Sequence, residues 1–292
     1  MGSYEQENSM LTPEEEAYVF SKAYVPEHVL NLMVSVSKGE PFLREDYLGF
    51  AKDNWVIFVG YPLDGNFSQE KCGKILKQVV ERSRPEYLWF IGPEIPLSLL
   101  DSCQEKQTDQ YYKLDLEGIK PKSSLQRSID IALKELRVER GRSFSKEHEA
   151  LVMELLKREK LPPRLRELYL AMPDYVAHSS SACVLNARDK KEKLSAFYIV
   201  ELGAKNFSTY VLGSHSKKHY ISHASDLLFL EMIKLSYEKG KKTINLGLGV
   251  NEGIRRFKKK WGAVPFLNYE FCEFFYGTTR TVSLIKSLEG KL

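Results

Sequence analysis

"INLGLGVNEGIRRFKKKWGA", residues 244–263, decides how the rest of this 292-residue chain is read. An apolar strand pattern starting at Ile244 runs into a turn punctuated by Gly247, Gly249 and Gly253. A short helix then packs cations between large apolar residues. Ile254, Phe257 and Trp261 fall three and four residues apart, which puts them on one helical face. Arg255, Arg256, Lys259 and Lys260 point more outward, and Lys258, four residues after Ile254, stands at the rim of the apolar face. Two readings follow. The helix is a solvated basic surface over an aromatic anchor, or Lys258 is aimed at the strand end and meets a phosphate or a developing oxyanion there.

Bulk composition does not choose between them. A net charge of +4 is too mild to mark a dedicated nucleic-acid binder, so any anion site rests on local clusters. With 43% hydrophobic and 28% charged residues the chain matches ordinary soluble proteins, and its length favours two domains. Cys72, Cys103, Cys183 and Cys272 are far apart and never form CxxC. That spacing suggests no disulfide framework, zinc ribbon or redox pair, and it fits a reducing cytoplasm. The acidic, polar start is wrong for a secretory signal, and its Met-Gly opening is weak support for lipidation. No run approaches eighteen apolar residues, so no membrane span is expected and the expected location is cytoplasmic.

Outward from 244–263, the patterns alternate. Thr12 and Pro13 open a helix, with acids in its first turn. WVIFVGYPL from 55 is a buried strand, and Ser68 caps an amphipathic helix that Pro85 closes. EYLWFIG and QYYKLDL (110–116) are further strands. Residues 117–146 show no strand signal. SSLQRSIDIALKELRVERGR reads as one basic helix ending at Gly141, and Ser145 caps another helix. Segments 182–189, 194–203 and 207–215 form an antiparallel meander. The next helix is capped by Ser222, has Asp226 in its first turn and Gly240 just past its end. The strand KTINLGLG at 242–249, the quoted helix and a last aromatic strand from 266 complete the order. We place the domain boundary near residue 120, giving domains 1–120 and 121–292. The strand, helix, strand order of 55–96 repeats the end of the second half, which suggests a partial internal duplication.

This order, with these residues, resembles the GNAT superfamily of acyltransferases, and more closely the tandem Fem-type aminoacyl and peptidyl transferases and the C-terminal domain of phosphatidylglycerol lysyltransferases. The resemblance is clearest over 194–275. It rests on the long helix after the third strand, the Asn245-Leu-Gly247-Leu-Gly249 strand end, and Phe257-Lys258 followed by Trp261-Gly262. It implies an α/β fold of two tandem GNAT-like domains, each a mixed, mostly antiparallel sheet flanked by helices, the first copy being degenerate. It also implies transfer of an acyl or aminoacyl group to a small-molecule or peptide amine, from acyl-CoA or an aminoacyl-tRNA, with no metal. Fem-type proteins keep the lysine matching Lys258 at the reaction centre.

In GNAT enzymes the coenzyme pyrophosphate sits on main-chain N–H groups in a glycine-rich loop before the long helix. Here that loop is SKKHYISHAS, 216–225, with Lys217, Lys218, Ser222, His223 and Ala224 as candidate donor-binding residues. Its glycines are missing, a departure that favours the aminoacyl-tRNA lineage. For that donor the basic helices 123–142 and 251–260 supply phosphate contacts. Glu201, beside Tyr198 and Tyr210, is the carboxylate available as general base, and it also reads as an ordinary strand glutamate. No tyrosine lies on the 251–261 helix, so the general acid many GNAT enzymes keep there is absent. His215, His219 and His223 recur every four residues, yet they fall on a loop, which makes them polar or anion-site groups before metal ligands. The alternative to an enzyme is a binding module that kept the fold and lost the glycine loop.

Overall fold

Thr12 fixes where the first helix begins. Its hydroxyl accepts from the Glu15 N–H at 3.2 Å, and the Glu15 carboxylate accepts from the Thr12 N–H at 2.8 Å, a reciprocal cap on α1 (Pro13–Lys22). The computed structural model describes residues 11–161 and 163–277. The Met-Gly start therefore lies outside the described residues. Two packing units divide them: 11–109 with 267–277, and 110–266. The single cut expected near residue 120 follows chain order, whereas packing sends the last strand back to the first unit.

In the first unit α2 (Leu30–Ser37) leads into β1 (Glu40–Arg44), β2 (Tyr47–Lys52) and β3 (Trp55–Val59). Glu45 and Asp53, each at φ 50°, make the tight turns between these strands. α3 (Gln69–Ser83) starts at Ser68, whose hydroxyl accepts from Lys71 N at 3.3 Å, and stops at Arg84 ahead of Pro85. It lays Cys72, Ile75, Leu76 and Val79 on Phe58 of β3 and on Leu88 and Phe90 of β4 (Tyr87–Gly92).

β5 (Glu105–Asp115) crosses into the second unit, which continues with α4 (Ser123–Leu133), β6 (Leu136–Gly141), α5 (Lys146–Arg158) and α6 (Pro163–His178). β7 (Ala182–Asp189), β8 (Leu194–Glu201) and β9 (Phe207–His215) form the expected antiparallel meander. α7 (Ala224–Glu238), β10 (Thr243–Leu248) and α8 (Glu252–Lys260) follow, and β11 (Val264–Phe275) closes the described chain. α7 and α4 bury Leu228, Met232, Leu125 and Ile129 on one face of the sheet, together with Ala196, Tyr198 and Val200 of β8. Phe197, turned the other way, meets His148 of α5 at 5.1 Å between ring centres.

The strand orders of the two units share one plan. The first runs β1-β2-β3-β4-β11, and the second β6-β7-β8-β9-β10-β5. Each contains a single parallel pair, β3 with β4 and β9 with β10, inside otherwise antiparallel neighbours.

Two sequence expectations are corrected here. Residues 123–142 are not one basic helix, and 117–146 does contain a strand. The helix ends at Leu133, and β6 pairs with β7 from Leu136↔Asp189 to Gly141↔Val184. Leu136 and Val138 turn inward along an edge strand that also carries Arg137, Glu139 and Arg140, a pattern that disguises a strand as a helix. Its cations are already matched: Arg137 pairs with Glu139 and Glu192, and Arg140 with Glu231 and Glu238. These two strand cations are committed to carboxylates, so the phosphate contacts expected of 123–142 do not come from them.

The second correction concerns the cysteines. Cys103 and Cys272 are bonded, with Cα atoms 5.7 Å apart and a sequence separation of 169. Local spacing cannot report a pairing made by tertiary strand order: Gln104 N donates to Glu273 O at 2.9 Å and draws the two cysteines together. The cysteine pattern therefore no longer argues for a reducing compartment. Reduction is expected to cost the first unit about 2–4 kcal/mol. Denaturant midpoints with and without reductant test this, and Cys103→Ser should abolish the difference. Among the described residues no helix is long and apolar enough to cross a membrane.

Candidate active site

β9 and β10 are paired in parallel only at Phe207–Thr209 with Thr243–Asn245. β9 continues to His215 and β10 to Leu248, so the strands part beyond Asn245. Two irregularities accompany the parting. Against β8, Ile199 pairs with Leu212 and Val200 with Tyr210, which leaves Val211 as a bulge. Against β5, β10 is irregular between Asn245 and Leu248, where Gly247 takes φ 71° and donates its N–H to Asn245 Oδ1 at 2.8 Å. The first unit differs. There β3 and β4 pair over five residues, and Gly60 N extends the pairing to Ile91 O at 2.6 Å. The Phe90 ring fills the space beside Gly60 and Gly92, 2.5 Å from where a Cβ would stand on either.

At the fork lie two register partners with unmet polar atoms, Thr209 Oγ1 and Asn245 Nδ2; each residue is 2% exposed. Buried orphans are rare in folded proteins, because each forfeits its hydrogen bonds to water. Here they are a hydroxyl and an amide donor, side by side on neighbouring strands.

Lys258 is deeper than its rim position in sequence implied. It is 5% exposed, against 37% for Ile254. Asn251 caps α8 through its Oδ1, which accepts from Ile254 N at 3.0 Å, and the resulting phase turns Phe257, Lys258 and Trp261 inward and Ile254 outward. The Lys258 ammonium donates to Gly247 O at 3.1 Å and Leu248 O at 2.6 Å, and lies 5.4 Å from the centre of the Tyr112 ring. It clamps the open end of β10. Val250, just beyond, holds φ 55°, a costly conformation for a β-branched residue.

A cavity of about 580 Å³ lies beside the start of α7. Its loop side is formed by His215, Ser216, Lys217, Tyr220 and His223, and its far wall by Phe257 and Lys260 of α8. Glu154 pins the loop by accepting from Ser216 Oγ at 3.2 Å and Lys217 N at 2.6 Å. Burial, reinforced by Arg158 and Lys217, holds the His215 imidazole below its usual pKa. At the base stands Asp226, 3% exposed. Its carboxylate receives Lys260 Nζ at 2.6 Å, Trp261 Nε1 at 3.3 Å and His223 Nδ1 at 3.4 Å.

The residues singled out from sequence fall into three groups. Lys217, His223, Ala224 and Phe257 meet at the cavity, while Asn245, Gly247, Gly249 and Lys258 meet at the end of β10. Lys218, Ser222 and Glu201 do not line the cavity. Ser222 is not the helix cap either: His223 takes that position at φ 65°, without a side-chain cap bond, and its carbonyl accepts from Asp226 N and Leu227 N. Glu201 ends β8, six residues from the cavity-lining Ser195, and is enclosed by the Tyr175 hydroxyl, the Gly203 N–H and Ser179 Oγ. Sequence reading passed over Thr209, and took Asp226 only as first-turn acid and Lys260 only as outward charge. No sequence signal joins the last two, since Asp226 meets Lys260 and Trp261 only in the fold.

No family model and no curated protein matches this chain. Solved structures do. L-PGS from Bacillus licheniformis is similar at TM-score 0.58 and 14% identity, covering 95% of this chain and 96% of its own. FemX is similar at TM-score 0.60 and 11% identity, covering 90% and 96%. A tandem GNAT protein from the clavulanic acid biosynthesis pathway is similar at TM-score 0.53 and 13% identity, covering 90% and 92%. These likenesses establish the fold. It is the tandem GNAT type, mixed and mostly antiparallel sheet flanked by helices, as the resemblance in sequence implied.

Proposed function

We propose that this protein is an N-acyltransferase that moves an aminoacyl group from a charged tRNA to the amine of a small molecule or peptide. The observation that carries the reading is the fork between β9 and β10, open in the second unit and closed by paired strands and Phe90 in the first. An open fork presents the Thr209 hydroxyl and the Asn245 amide N–H to an entering carbonyl, fixed dipoles of the kind that stabilise a tetrahedral oxyanion. The amine nitrogen bonds to the carbonyl carbon, the ester C–O bond breaks, and the amine proton ends on the leaving ribose oxygen. Lys258 keeps the fork open by holding the carbonyls of Gly247 and Leu248. The first unit, its fork closed, is the degenerate copy.

Two features favour the aminoacyl donor over acyl-CoA. The loop 216–223 lacks the glycines that let a pyrophosphate approach the main chain, and the Asp226 carboxylate already occupies the positive end of α7. Arg256 and Lys259 of α8 are exposed and form no ion pair among the described residues, which suits them to phosphates. Binding of tRNA should therefore weaken steeply with salt.

One observation favours the other reading, a binding module: the Lys258 ammonium is committed to main-chain carbonyls. A transfer assay separates the two, using tRNA charged with a labelled amino acid and a panel of amines, with acetyl-CoA as the rival donor. Label passing from tRNA to an amine supports the proposal; binding of charged tRNA without transfer assigns the module. In the active protein, Lys258→Ala is expected to lower turnover roughly a hundredfold, because the fork loses its alignment. Unchanged turnover would reduce Lys258 to a structural clamp.

A further inference from the structure

Lys260 sits in a site built for an ammonium ion. Its Nζ is 2.6 Å from Asp226 Oδ1 and 5.1 Å from the centre of the Phe257 ring. A carboxylate on one side and an aromatic face on the other is how proteins recognise ammonium groups. The two walls are fixed. Asp226 is 3% exposed, on the first turn of α7, and its Oδ1 also takes the Trp261 indole N–H at 3.3 Å. The Phe257 ring is set edge-to-face against Phe229 at 5.4 Å. The occupant is not fixed: the Lys260 side chain is 41% exposed at the cavity, on a flexible stem at the last turn of α8. Swinging it into solvent uncovers a buried carboxylate that faces about 580 Å³ of open space.

We propose that Asp226 and Phe257 form a subsite for the α-ammonium of the transferred amino acid, and that Lys260 is its resident plug. The inference rests on the aminoacyl-transfer reading and deepens it, since an aminoacyl ester carries a cation next to its carbonyl and a simple acyl thioester does not. The donor ammonium displaces Lys260, which returns once the product leaves. His223, whose Nδ1 is 3.4 Å from Asp226 Oδ2, borders the subsite on its loop side. Donors without the cation leave the plug in place and enter a smaller cavity, so the plug discriminates between donors as well as guarding the carboxylate.

The test is calorimetric binding of alaninamide, an aminoacyl mimic with a free ammonium, against N-acetylalaninamide, which has none. Removing a self-filling plug raises apparent affinity by the inverse of the fraction of time the site stands empty, so Lys260→Ala is expected to bind alaninamide roughly tenfold tighter than the natural chain. N-acetylalaninamide should bind neither protein measurably. Asp226→Asn in the Lys260→Ala background should abolish the gain. Circular dichroism of that double variant establishes folding, and Phe257→Leu provides a second route, expected to weaken alaninamide binding with Asp226 intact. Equal binding of the two amides, or no gain from Lys260→Ala, overturns the subsite. These outcomes need no turnover. Ammonium-selective binding in a protein that transfers nothing would sink the transferase reading alone, and transfer without ammonium selectivity would sink the subsite alone.

Discussion

Replacing Glu201 with alanine is expected to lower the stability of the second unit by about 3 kcal/mol, before any effect on chemistry is read. Its carboxylate accepts from the Tyr175 hydroxyl, the Gly203 N–H and Ser179 Oγ, all inside the protein. Alanine strands those donors without water to replace it. Burial and the adjacent carboxylate hold the Tyr175 phenol far above its usual pKa, so the hydroxyl stays protonated and keeps its need for an acceptor. Nearby, Lys241 donates to Leu202 O at 2.8 Å and Ala204 O at 2.5 Å; burial lowers its pKa, and Glu201 works against that shift. Glutamine restores one acceptor and should recover part of the loss. The measurement is a urea midpoint set beside turnover per folded molecule. A general base would show the reverse, an unchanged midpoint with turnover gone, and that result would return Glu201 to the chemistry.

Acid should unfold the first unit through His28. The ring is 1% exposed; Nε2 donates to Tyr61 O at 2.9 Å while Nδ1 accepts from Tyr24 N at 3.4 Å. Both nitrogens are used in the neutral form, and protonating Nδ1 removes the acceptor for Tyr24. Burial lowers the folded-state pKa from its usual 6.5 to about 4. Between those values the unfolded chain binds the proton and the folded chain does not, so stability rises with pH across the window. Going down from pH 6.5 to about 4 should remove roughly 3 kcal/mol. Trp55 and Trp89 report this unit by fluorescence once Trp261 is replaced by Phe, and His28→Gln should flatten the pH dependence. A flat profile in the unsubstituted protein would mean the ring titrates normally. His148 in the second unit is lowered in the same direction by burial, with Nδ1 accepting from Ser145 N at 3.0 Å.

What the sequence made legible follows from how local each signal is. Thr12 and Ser68 each cap the helix they precede, as read, because a cap is decided within four residues. The meander of β7, β8 and β9 was readable from buried apolar runs separated by short turns. β6 was lost because Arg137, Glu139 and Arg140 interrupt Leu136 and Val138, and charge on an edge strand imitates a solvated helix. β1 and β2 were passed over although Phe42, Leu43, Tyr47 and Leu48 bracket a two-residue turn; their signal was present and unused. The candidate site was half visible. The end of β10 and Phe257-Lys258 stood out by composition, but the depth of Lys258 depends on the phase that Asn251 sets. Asp226 and Lys260 are 34 positions apart, and only the packing of α7 on α8 makes them a pair. The Cys103–Cys272 bond is less local still.

The first unit is written in two pieces of chain, 11–109 and 267–277, with the whole second unit between them. On a ribosome the second unit is finished while the first still waits for its last strand. Until Glu270–Phe275 emerges to pair with Gly92–Tyr87, β4 shows a bare edge lined by Leu88, Trp89 and Phe90. A nascent chain halted near residue 266 would thus carry a completed second unit and a sticky, unfinished first one, and chaperone demand during synthesis should peak in that interval.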